Sequence, residues 1–157
     1  MRASVAALLG AASMGAATPP PASLDAQGVD AWRRTHIEAN GWTLMHADGA
    51  ALSYARATDG SLAPDKDGVL KVDVRREYYR PVRLGPQASR SNYQVWLVDC
   101  EGRRLKVAAM SFYAQNNMKG SGFRKDGAES SWSAVPEGSQ DSPLFDRICA
   151  SQAPARP

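Results

Sequence analysis

Long apolar runs, cysteines and histidines are all scarce in this chain of 157 residues, and each shortage narrows the field. No segment after the first residues reaches the roughly 18 consecutive apolar residues that a membrane-spanning helix needs. The only histidines, His36 and His46, lie far from the only cysteines, Cys100 and Cys149, which makes a poor ligand set for zinc. Asp65-Lys66-Asp67-Gly68 resembles the opening of a calcium loop, but the position of the closing glutamate holds Val74, so an acidic turn is expected instead. Gly120-Ser121-Gly122 lacks the G-x-S-x-G spacing that exposes a nucleophile, and it continues as Phe123-Arg124-Lys125 without the ending of a phosphate loop. Neither charge dominates: 19 lysines and arginines face 16 acidic residues, a net charge of +3 spread along the chain. Such mild basicity argues against a nucleic-acid partner. No cofactor and no metal are expected.

What is present points to export. Arg2, the short apolar stretch Val5–Gly10 and the small residues Gly15-Ala16-Ala17 have the layout of a signal peptide over residues 1–17, so the mature chain is expected to begin near Thr18. No cysteine stands at that cleavage site to carry a lipid, and the expected product is soluble, in the periplasm or secreted. In an oxidising compartment two cysteines in a small domain read as one disulfide, Cys100 to Cys149. Closing a loop of about 50 residues would destabilise the unfolded chain by roughly 4 kcal/mol. The competing reading makes one cysteine a nucleophile with His36 or His46 as its base. No catalytic signature surrounds either cysteine, which favours the disulfide.

About 140 residues remain after cleavage, enough for one domain and one core. Thr18 to Ser23 is proline-rich and reads as a linker. Asp25 to Asn40 has a rough apolar stripe in Trp32, His36 and Ile37 and a stop at Asn40-Gly41, so residues 18–40 comprise a linker and a short helix. From Gly41 the period changes to two. Strands are expected at Trp42–His46 and Ala51–Ala57 around an Asp48-Gly49 turn, then at Val69–Tyr79, with Leu70, Val72 and Val74 on one face and Lys71, Asp73 and Arg75 on the other. Ser61–Gly68 and Arg80–Ser91 read as loop and turn, and Asn116–Lys125 as a glycine-rich polar stretch.

The clearest local signal is Tyr93 to Tyr113. A two-residue turn at Glu101-Gly102 sets Asp99 opposite Arg104, Val98 opposite Leu105 and Trp96 opposite Val107. That register puts Trp96, Val98, Cys100, Leu105, Val107 and Ala109 on a core face, and leaves Tyr93, Val95, Leu97, Ala108 and Met110 on the other. The second face is more apolar than a solvated sheet needs. Its cover is expected to be either the segment around Trp32 and Ile37 or a second copy of the chain, which makes Tyr93, Val95, Leu97 and Met110 a candidate homodimer face. Ser130–Val135 reads as a last strand carrying Trp132, and Ser142–Ala150 as a helix capped by Ser142 with Pro143 in its first turn. The fold class is α+β, mainly β: an antiparallel meander with a C-terminal helix tied to it by the disulfide.

Asp99-Cys100-Glu101-Gly102-Arg103-Arg104, followed by Tyr113, Trp132, Pro136 and the closing Ile148-Cys149, resembles the surface-adhesin E-like domain of exported bacterial proteins. The resemblance spans residues 41–151 and leaves 152–157 as a tail. It implies an antiparallel sheet with a disulfide-held helix, and a founding member that is a dimeric adhesin of host matrix proteins. Unlike that member, this chain has no lipid-attachment cysteine and carries an extra segment before residue 41.

Arg75, Arg76, Tyr78, Tyr79 and Arg80, with Arg83 and Arg90 beyond them, form the densest polar cluster. Arginine beside tyrosine suits a protein-binding surface, since arginine pairs bidentately with carboxylates and both bring large contact area. The plainer reading is an edge strand charged against aggregation. Two functional classes follow: a non-enzymatic binding or structural protein of the cell envelope, and a periplasmic small-molecule-binding protein or enzyme. A deep pocket with converging polar groups would favour the second.

Overall fold

The computed structural model describes residues 17–57, 63–83, 87–126 and 131–152. The expected signal peptide, apart from Ala17, and the tail beyond Gln152 lie outside the described residues. Helix α1 (Ala26–His36) precedes strands β1 (Thr43–Ala47), β2 (Ala51–Ala57), β3 (Val69–Arg83), β4 (Ala88–Asp99) and β5 (Arg104–Tyr113). A 3₁₀ turn at Asn116–Met118, strands β6 (Gly122–Asp126) and β7 (Ser133–Ala134), and helix α2 (Ser142–Ala150) complete the order. All strand pairs are antiparallel, in the order β1-β2-β3-β4-β5-β6, with β7 against the other end of β5.

Alternation decides which face each side chain takes. Leu70, Val72 and Val74 of β3 join Trp96 and Val98 of β4 and Leu105 of β5 beneath Leu144, Phe145 and Ile148 of α2. Each of these side chains contributes roughly 1.5–3 kcal/mol by leaving water. Pro143 in the first turn and the i, i+1, i+4 spacing of Leu144, Phe145 and Ile148 give α2 its apolar side. Cys149 at its end meets Cys100 at the end of β4, with Cα atoms 5.7 Å apart, and the disulfide closes as expected. α2 starts at Ser142, whose hydroxyl donates to Asp146 and does not cap the helix; Asp141 holds the cap position.

The hairpin keeps the expected register from Asp99↔Arg104 through Trp96↔Val107 and then shifts, so that Val95 pairs with Ala109 and Gln94 with Met110. One extra residue, Ala108, makes a bulge there. Ala109 therefore turns away from the α2 core and Met110 turns toward it, the reverse of the expectation. The turn-rich stretch Arg80–Ser91 and the glycine-rich polar stretch Asn116–Lys125 each contribute strand instead. β3 runs on to Arg83 and β4 begins at Ala88, with an irregularity between Glu77 and Val82 that accommodates Pro81. β6 occupies Gly122–Asp126, where a Cβ on Gly122 would lie 2.4 Å from the Phe112 carbonyl oxygen, so only glycine permits this approach.

The opposite face carries α1. Asp25 caps it by accepting from the Gly28 amide at 2.8 Å, and Val29 and Trp32 pack on Leu52, Tyr54, Tyr79 and Trp42. Trp32 meets Tyr79 edge-on, with ring centroids 5.3 Å apart. The Trp32 indole donates to the Pro19 carbonyl at 2.6 Å and Arg90 donates to the Thr18 carbonyl at 2.5 Å. The proline-rich run expected as a linker thus lies against the domain.

A groove at the open end of the sheet

α2 covers only part of its face. Beyond its N-terminal end the bulge at Ala108 brings Met110 and Phe112 beside Gln94 and Asn92, across from Tyr78 and Arg76 on β3. With Trp96 as its floor, this strip lines a cavity of ≈ 520 Å³. The Trp96 indole donates to Gln94 Oε1 at 2.7 Å, and Asn92 Nδ2 donates to the Tyr78 hydroxyl at 3.0 Å. Arg76 donates to Asp141 at 2.5 Å and stands 5.8 Å from the Trp96 ring. Asn92 Oδ1 and Arg76 Nε are buried with no hydrogen-bond partner, a costly condition in a folded protein.

A second cavity of ≈ 560 Å³ adjoins the first, sharing Ala50 and Val82 with it. Pro20, Pro21 and Leu24 form one wall, Tyr79 and Arg80 the other. The buried Tyr79 hydroxyl has no partner, and burial pushes its pKa up to about 12, so it is a neutral donor at every physiological pH.

The five residues of the arginine and tyrosine cluster do not form one exposed patch. Strand alternation sends Arg76 and Tyr78 toward the groove and Arg75 and Tyr79 toward α1, while Arg80 is exposed at the strand's end. Arg75 is only 2% exposed. Its guanidinium donates to Glu77 Oε1 at 2.5 Å, to the Glu38 carbonyl at 2.9 Å and to Asn117 Oδ1 at 2.9 Å. Asn117 in turn donates to the His36 carbonyl at 2.8 Å, so Arg75 fastens the end of α1 to the sheet. The period-two spacing of residues 75, 77 and 79 carries that division and sets Glu77 beside Arg75, whereas the Glu38 and Asn117 partners come from distant sequence and leave no local trace.

Of the candidate dimer face, Tyr93, Val95 and Leu97 do share one side of β4, with Tyr93 beside Trp42 and its hydroxyl donating to Asp73 at 2.9 Å. Met110 faces the other way because of the bulge. α1 covers the part of this side over Leu52, Tyr54 and Tyr79, whereas Val95 and Leu97 stay half-buried. His46 on β1 and His36 in α1 do not converge, and no cluster of metal-ligating groups occurs among the described residues. Asp65 is occupied in its own turn, accepting from the amides of Asp67 and Val69 at 2.9 Å. No helix among the described residues is long and apolar enough to cross a membrane.

The family model described as surface-adhesin protein E matches residues 42–150. Two solved structures share the fold. Crystal form II of Haemophilus influenzae protein E is 15% identical, covering 71% of this chain and 89% of that one, with a TM-score of 0.52. Protein E from non-typeable Haemophilus influenzae is 15% identical, covering 71% and 76%, with a TM-score of 0.51. No curated protein shows significant similarity to the chain. The match begins at Trp42, so the proline-rich run and α1 lie outside it.

Proposed function

The chain belongs to the surface-adhesin protein E family, and from that membership we propose that it is an exported cell-envelope protein that binds another protein, without enzymatic chemistry, through the groove at the open end of the sheet. Its disulfide supports an oxidising compartment, the periplasm or the cell exterior. The observation that carries the reading is the groove's lining. Aromatic and thioether surface from Trp96, Phe112 and Met110 stands beside the amides of Asn92 and Gln94, and a paired arginine, Arg76, forms the rim. Such a mixture anchors apolar side chains and orients them with neutral hydrogen bonds. Met110 is half-buried and at the groove wall, so Met110→Glu should be tolerated by the fold. Capture of a partner from envelope extract or from host matrix proteins by immobilised protein is expected to drop at least tenfold in this variant, with Tm within a few degrees. Equal capture by variant and wild type would sink the reading.

A homodimer through Tyr93, Val95 and Leu97 is the second proposal, supported by the half-buried state of Val95 and Leu97 beyond the reach of α1. Leu97 pairs across the strands with Lys106, so Leu97→Lys places two like charges side by side. Light scattering is expected to show the wild type as a dimer and the variant as a folded monomer. A wild type that is already monomeric at high concentration rules the dimer out.

A further inference from the structure

Arg80 and Arg83 close β3, and Arg90 lies on β4 beside them, with Val82 paired to Ser89 and Arg83 to Ala88. None of the three has a carboxylate partner among the described residues. Among the described residues Arg90 donates to a neutral carbonyl, that of Thr18. By contrast Arg56, Arg75, Arg76 and Arg104 on the same sheet each pair with an acid. Positive charge thus collects, without a paired carboxylate among the described residues, at the end of the sheet where the two cavities meet.

The same end offers an unpaired strand edge. The β2–β3 ladder ends at Ala51↔Tyr78, followed by one last bond from the Tyr79 amide to the Ala50 carbonyl at 3.0 Å. From Arg80 to Arg83 no described strand lies outside β3. Pro81 removes one donor from this edge, which limits pairing between copies without closing the edge to a short segment. On either side of Ala50 and Val82, residues lining the cavities carry buried polar atoms that lack partners: Tyr79 in one, Asn92 and Arg76 in the other.

We infer that the partner binds through an acidic, extended polypeptide segment laid along the Arg80–Arg83 edge, its carboxylates on Arg80, Arg83 and Arg90 and its apolar side chains in the two cavities. This rests on the protein-binding reading above. Guanidinium groups bind carboxylates bidentately, and an open edge recognises extended backbone while flanking pockets select side chains. Sulfated glycans would satisfy the arginines but leave Leu24, Val82, Met110 and Phe112 facing polar sugar. Anionic lipid would meet the arginines without reaching the recessed amides of the groove.

The test pans the immobilised protein against a random twelve-residue peptide library and measures the enriched peptides, heparin and phosphatidylglycerol vesicles against the wild type and Arg80→Glu/Arg83→Glu. Both side chains are exposed, so the variant keeps the fold. Enriched peptides are expected to carry Asp or Glu within a few positions of a large apolar residue and to bind the variant at least tenfold more weakly. Enriched peptides without acids, or with equal affinity for the variant, overturn the acidic partner while leaving protein binding intact. No enrichment at all overturns both, and charge-dependent binding of heparin or vesicles alone reassigns the arginines to those ligands.

Discussion

Glu77→Gln is expected to cost about 3–5 kcal/mol of unfolding free energy, the range found when one member of a buried ion pair is removed. Glu77 is fully buried and accepts from Arg75 Nε, from Asn116 Nδ2 at 2.9 Å and from the Asn117 amide at 3.0 Å. The amide replacement retains the shape and one acceptor, but leaves the Arg75 charge buried against Trp42 and Tyr54 without its counterion. Because Arg75 also holds the Glu38 carbonyl, the damage should spread to α1, with Trp32 fluorescence shifting red and protease cutting at residues 38–41. Arg75→Met/Glu77→Leu is expected to recover most of the loss, since the pair's worth lies in mutual compensation. Burial pushes the Glu77 carboxyl above the ordinary carboxylate range, with Arg75 opposing it. The folded chain therefore holds this proton more tightly than the unfolded one, and Glu77's contribution falls as pH rises from the ordinary carboxylate range through the raised value. Glu77→Gln should flatten the stability profile in that window. A urea-unfolding loss under 1 kcal/mol would show that the pair is not what holds α1.

Arg75 also marks the limit of what the sequence made legible. Alternation and turn chemistry sufficed for β2, β3, the β4–β5 register near Glu101-Gly102, α2 and the cysteine pairing, because each depends on residues a few positions apart or on only one available partner. The bulge at Ala108 left no such trace: Ala108 and Ala109 are equally small, and nothing local says which of them drops out of the ladder. Its consequence is large, since it decides that Met110 and Phe112 line the groove. Pro81 and the polar residues around it give Arg80 to Ser91 the look of a turn, yet the irregularity in β3 absorbs the proline and both strands continue. The groove's remaining wall, Gln140 and Asp141, immediately precedes α2, which the fold and the disulfide bring there from far along the chain.

Cys100→Ser/Cys149→Ser is expected to lower stability by about 2–5 kcal/mol, centred near the roughly 4 kcal/mol that loop closure predicts. In the chain-entropy account the loss arises in the unfolded chain, which regains the freedom of a loop closed across a sequence separation of 49. α2 keeps other attachments. Leu144, Phe145 and Ile148 stay in the core, Arg103 donates to Asp146 at 2.7 Å and to the Ser142 hydroxyl at 3.0 Å, and the Arg103 guanidinium lies 5.5 Å from the Phe145 ring. The serine variant should therefore fold with α2 in place but open more readily at that helix. Because Asp141 leads into α2 and holds Arg76 at the groove rim, loosening the helix should weaken partner capture before global unfolding begins. Urea unfolding with and without dithiothreitol, read alongside capture, separates the two effects. Two free thiols in correctly exported protein, or unfolding curves that coincide under both conditions, would remove the disulfide from this account, leaving α2 held only by its apolar side and by Arg103.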